Sequence, residues 1–124
     1  MERAELEKYI TESFGADAEH PWESKPEYAV FRHGGNAKWF AVAMTVPKRV
    51  LGLKDEGNID IVNLKCDYVL ISSLASQKGI FPAYHMNKVH WISVALDGSV
   101  DAATVKWLLD VSYDLTAPKI KKTR

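Results

Sequence analysis

Three observations in the amino-acid sequence predict an α+β fold, an antiparallel sheet of about five strands with helices packed on one face. Apolar residues recur at helical spacing in some segments and alternate at strand spacing in others. These segments run in the order helix, three strands, helix, two strands, helix. Two links inside the strand groups, GGNA and HMNK, are short enough for hairpins, which favours antiparallel pairing.

The first helix is expected over residues 2–14, where Leu6, Tyr9, Ile10 and Phe14 form the apolar stripe and Gly15 is the stop. ADAEHPWESKPE has two prolines and no period, so it reads as a loop or short edge strand. Alternation over 28–33 and 38–46 predicts a hairpin, with glycine and asparagine at the turn. Strict alternation turns Phe40, Val42, Met44 and Val46 one way, and Trp39, Ala41, Ala43 and Thr45 the other. The face with the small residues fits a packed helix better than a ligand.

PKRVLGLKDEGN reads as a mobile connection into a strand over 59–64. Asp67 is placed to cap a helix over 68–77, with Leu70, Ile71, Leu74 and Ala75 inward and Gly79 ending it. IFPAY and VHWISVAL then form the second hairpin. On its second strand His90, Ile92, Val94 and Leu96 share one face, opposite Trp91, Ser93 and Ala95. The final helix starts at Ser99 or Asp101, buries Val105, Leu108, Leu109, Ser112 and Leu115, exposes a Lys106–Asp110 pair, and stops at Pro118.

With 124 residues, 47% hydrophobic and 26% charged, the chain fits one domain over 1–118, followed by a basic tail over 119–124. A domain of this size needs no disulfide or metal staple. The lone Cys66 has no internal disulfide partner, and no apolar run reaches signal-peptide or ~18-residue membrane-span length, so a cytoplasmic protein, monomeric and off the membrane, is expected. Net charge is zero, yet residues 1–27 hold eight acids against Arg3, Lys8 and Lys25. A neutral chain has no general attraction for phosphate, although a clustered basic face still binds it.

The densest group of chemical side chains is PAYHMNKVHWISVALDGS. His90 fits a role fixing the hairpin from the apolar face, while His85, Asn87 and Lys88 at the tip offer donors to a phosphate or another anion. Trp22, Trp39, Trp91 and Trp107 are candidates to stack on bases; core packing fits Trp107 better, while Trp39 and Trp91 fit either role. No metal is expected, because His85 and His90 fall on opposite strand faces and Cys66 is remote in sequence. Cys66 precedes a helix N-terminus, but the adjacent Asp67 opposes activation. No nucleophile elbow, phosphate loop or dinucleotide fingerprint is present, so neither an enzyme nor a cofactor is expected.

The run HMNKVHW followed by LDGS, with FRHGGNAKWFAVAM and VNLKCD upstream, resembles the MmcQ/YjbR family of small bacterial proteins over nearly the whole chain. The resemblance implies a CyaY-like fold, similar to frataxin in layout, and DNA binding through two hairpin wings at residues 32–38 and 84–90. Its contact residues would be Arg32, His33, Lys38, His85, Asn87, Lys88, His90 and Trp91. Few of these carry a fixed charge, so DNA binding would be weak and salt-sensitive. The alternative is a non-enzymatic adaptor or small anionic-ligand module working through His85, Asn87 and Lys88.

Overall fold

Leu6 and Ile10, one helical turn apart and both fully buried, seat the first helix, α1 (Arg3–Phe14), in the core. Gly15 ends it in the left-handed region, φ 67°, and its N–H donates to Thr11 O at 3.0 Å. The computed structural model describes residues 1–118; the basic tail expected at 119–124 lies outside the described residues. After α1 come β1 (Ala29–Arg32), β2 (Trp39–Pro47), β3 (Asn58–Lys65), α2 (Tyr68–Leu74), β4 (Ile80–Pro82), β5 (Trp91–Ala95) and α3 (Ala102–Thr116). The strands form one sheet in the order β1-β2-β3-β5-β4, each neighbour antiparallel. The fold is the α+β sheet-and-helix class that the sequence predicts.

One face of the sheet meets α1 and α3 through Phe31, Phe40, Val62 and Leu64 against Leu6, Ile10, Leu108 and Leu109. The other face, bearing Val30, Val42, Met44, Val46, Ile59 and Ile61, carries no helix but is not bare. Trp22, Leu51, Leu53, Tyr84 and Met86 cover it from three loops. The 47–57 connection contains a 3-10 turn, Lys48–Leu51.

Simple alternation fails at the start of β2. Phe31 pairs with Ala41 but Arg32 pairs with Trp39, so Phe40 is an extra residue, a β-bulge. Phe40 therefore joins Ala41 and Ala43 on the helix face, and Trp39 joins Val42 and Met44 on the other, correcting the expected faces of both residues. The bulge interrupts the ladder to β3, and α3 repairs it. Lys65 N–H donates to Ser112 Oγ at 2.8 Å, and the same hydroxyl donates to Phe40 O at 2.6 Å. One buried side chain thus satisfies two backbone groups that the strands leave unpaired.

Asp67 and Asp101 cap their helices as expected, accepting from Leu70 N (2.9 Å) and Thr104 N (2.7 Å). The second helix is shorter than predicted: it stops at Leu74, before an exposed turn over 75–78, and Leu74 is its one buried residue. Gly79 marks the entry to β4 instead. Its φ is 86°, and a Cβ there would lie 2.6 Å from Val100 Cγ2, so both conformation and space require glycine. In α3 the face turns slightly from the expected one, because Thr116 is buried and Leu115 exposed. Lys106 and Asp110 meet through Tyr9: the ammonium sits 5.2 Å from the ring centroid, and the phenol donates to Asp110 Oδ1 at 3.3 Å.

Ser112→Ala leaves Lys65 N–H and Phe40 O without their shared partner. The expected loss in urea denaturation is about 2 kcal/mol, well above that of an exposed substitution such as Ser73→Ala.

Candidate functional site

Both hairpin turns emerge at the same end of the sheet, since Arg32 faces Trp39 there and Lys65 faces Trp91. The first turn is fastened to the end of α3. His33 is 4% exposed, and its Nε2 lies 2.9 Å from Tyr113 O and 2.8 Å from Thr116 Oγ1. A carbonyl has no proton to give, so Nε2–H is the donor. Asn36 Nδ2 donates to Thr116 O at 3.0 Å, so the turn supplies donors to carbonyls that the helix end leaves unpaired. His33 is therefore a buried tie and not the surface cation expected of a wing. Arg32 is also engaged: its Nε lies 3.2 Å from Glu19 Oε1, and its guanidinium carbon lies 5.8 Å from the Trp39 ring centroid. Lys38 is exposed.

The second turn spans 83–90, longer than the HMNK link expected, because β5 begins only at Trp91. His90 precedes the strand and is exposed, correcting its assignment to the apolar face; its backbone, not its ring, holds the hairpin. His90 O accepts from Cys66 N at 2.8 Å, and Asn87 O accepts from Trp91 N at 2.9 Å. Asn87 Oδ1 accepts from Val89 N, and Lys88 Nζ donates to Ala83 O, both at 2.8 Å. Two of the three tip residues expected to offer open donors thus stabilise the turn itself. His85 is exposed, at φ 59°, with its ring 3.9 Å from that of Tyr84. Trp91 is half-buried.

A buried polar pair anchors this turn across the helix-free face. Asn63 on β3 and Ser93 on β5 are opposite each other and fully buried, and Ser93 Oγ donates to Asn63 Oδ1 at 2.5 Å. Asn63 Nδ2 donates to Tyr84 O (2.8 Å), while Tyr84 N donates to Ser93 Oγ (2.9 Å). Tyr84 is thereby fixed beside a cavity of about 270 Å³. Trp39, Val42 and Met44 of β2 form its floor, Tyr84, His85 and Met86 one wall, and Trp22, Lys25 and Tyr28 the other. The wall at 22–28 is tied by His20, whose Nδ1 lies 3.0 Å from both Pro26 O and Tyr28 O and so is the donor. Burial, with help from Tyr84 and Glu27, raises the Tyr28 phenol above its ordinary value.

The YjbR family model matches residues 11–115. The chain belongs to the YjbR family. It is 38% identical over 116 residues to the uncharacterized protein YyaQ of Bacillus subtilis (strain 168), covering 94% of this chain and 98% of that one. A crystal structure of a Pseudomonas syringae protein matches with a TM-score of 0.92 and 40% identity, over 94% of this chain and 100% of that one. A Deinococcus radiodurans protein described by the family-model domain DUF419 matches with a TM-score of 0.70 and 28% identity, over 92% and 77%.

In this YjbR protein the residues gathered at the cavity are mostly not those singled out from the sequence. His85 and the stacking candidates Trp22 and Trp39 are the lining residues that the sequence singles out for binding. Trp22, Lys25, Tyr28, Tyr84 and Met86 lie in loops, and the available signal was a tryptophan between two prolines in an otherwise polar segment. Cys66 is buried in the helix-side core, and burial, reinforced by the Asp67 charge, pushes its thiol up to about 11. No helix among the described residues is long and apolar enough to cross a membrane.

His33→Ala removes two buried contacts and is expected to cost about 2 kcal/mol in urea denaturation, whereas His90→Ala stays within about 0.5 kcal/mol. The raised Cys66 value means that the native state favours the thiol; this stabilisation is complete below the ordinary cysteine value and is lost as pH rises through about 11. A disulfide reagent at pH 8 should label Cys66 at least about a hundredfold faster in urea than in the native protein. Comparable rates would contradict the burial.

Proposed function

We propose that this protein is a non-catalytic binding module, that its site is the aromatic cavity between residues 22–28 and 84–86, and that its ligand is an anion. The observation that carries this reading is the make-up of the lining: the Lys25 ammonium and the His85 imidazole stand at the cavity and no carboxylate lines it. Among the described residues Lys25 has no ion-pair partner, so its charge is available to a ligand. The non-catalytic part is supported by the way nucleophilic side chains are used. Cys66 is buried with a raised pKa, and the Ser93 and Ser112 hydroxyls are committed to the core. This moves the anion-binding alternative from the turn tip to the cavity beneath it.

DNA binding through the two hairpins is a second reading, favoured by the emergence of both turns at one end of the sheet. Its cationic footprint there is small. Arg32 is paired with Glu19 and Lys88 with a backbone carbonyl, leaving Lys38 as the uncommitted lysine of the two turns, beside the exposed His85 and His90. Backbone contacts of this kind position a nucleic acid without reading its bases.

Two measurements separate the readings. Thermal shift against small phosphates and carboxylates should show concentration-dependent stabilisation that Lys25→Met removes without changing the ligand-free melting temperature. Anisotropy of labelled single- and double-stranded DNA, at low and physiological salt, should respond to Lys38→Ala if the hairpins bind DNA. A response to Lys38→Ala, with no anion stabilising the protein, would favour the hairpins over the cavity.

A further inference from the structure

We infer that the cavity takes a flat aromatic ring carrying an acidic group and rejects organic cations, an inference that rests on the anion reading of the same site. Shape is the first argument. Trp22 stands at 79° to Trp39, with centroids 5.6 Å apart, and at 80° to Tyr28, with centroids 5.9 Å apart. Two edge-to-face contacts meeting at one indole hold it in a fixed plane, so the space beside it is kept open. Walls of rings at right angles offer both faces and edges to a planar guest, the geometries in which aromatic pairs attract.

Size is the second. At about 270 Å³ the cavity lies just below the ~300 Å³ at which small-molecule pockets usually begin. One ring or two fused rings with a short substituent fit; a long flexible chain does not.

Charge is the third, and it decides between two kinds of guest. Aromatic cages commonly hold quaternary ammonium groups on their ring faces. Here two of the rings already have one of the protein's own cations beside them, while Trp22 has none: Lys25 Nζ is 5.8 Å from the Tyr28 centroid, and Arg32 Cζ is 5.8 Å from the Trp39 centroid. Glu19 offsets Arg32, but no lining carboxylate offsets Lys25, so a further cation at the cavity meets repulsion. An acid group beside Lys25 instead gains a charge-assisted hydrogen bond while its ring stacks.

Ring-plus-acid chemistry is shared by nucleotides and aromatic carboxylates, and calorimetric titration of the full chain separates these sources. Indole-3-acetate and adenosine monophosphate are the test ligands; indole, acetate and choline are the controls. At least one test ligand should bind saturably and about tenfold or more tighter than indole or acetate, with no heat from choline. Lys25→Met should bring indole-3-acetate down to the level of indole, and Trp22→Ala should abolish both while the protein still melts cooperatively. Choline binding, or a Lys25-dependent site that takes acetate as tightly as indole-3-acetate, overturns the inference; the second result leaves the anion site standing. No binding by any probe overturns the inference and the cavity reading together.

Discussion

One hydroxyl, that of Ser112, holds the sheet in the form on which the rest of the molecule depends. By accepting from Lys65 N–H and donating to Phe40 O, it stands in for the ladder bonds that the bulge in β2 breaks. The bulge turns two consecutive residues, Phe40 and Ala41, toward the helices. Every residue before it consequently changes face. Trp39 is released from the helix side and becomes the floor of the cavity, where Trp22 stands edge to face against it. A helix on one face of the sheet thereby shapes the site on the other.

The two hairpins show how little the apparent chemistry of a side chain says about its use. His33 and Asn36 spend their polar atoms on the last turn of α3, and Asn87 and Lys88 on their own turn. His33 is buried and costly to leave unpaired, and the fold satisfies it internally; the exposed Asn87 and Lys88 exchange water for bonds within their turn. Lys25, Lys38, His85 and His90 are exposed and lie scattered among these structural residues.

What was legible in the sequence was local. The caps at Asp67 and Asp101, the stripe of α1, the strand over 59–64 and the alternation of β5 depend on neighbours within a few positions, and each is where its pattern puts it. The bulge is not local, because its partner Ser112 lies 72 residues from Phe40. Strand alternation carried through position 90 likewise misplaced His90, since Asn87 O accepts from both the His90 and Trp91 N–H groups and keeps the chain in a turn. The cavity was hidden for a further reason. Its walls come from loops without a period, which join only when Asn63 and Ser93 fix Tyr84 over the sheet.

The fastening of the first turn to α3 also bears on how the molecule comes apart. His33 contacts residues 80 and 83 positions away, so α3 cannot fray at its end without releasing the β1–β2 turn, and the turn cannot loosen without exposing the helix carbonyls. Segments coupled in this way open as one cooperative unit, near the global stability of the protein. The 22–28 loop is held more lightly, by the exposed bond from the Arg3 guanidinium of α1 to Glu27 O and by the local, exposed His20 tie. The cavity thus joins a floor and one wall fixed by buried bonds to a second wall, 22–28, whose polar ties are exposed.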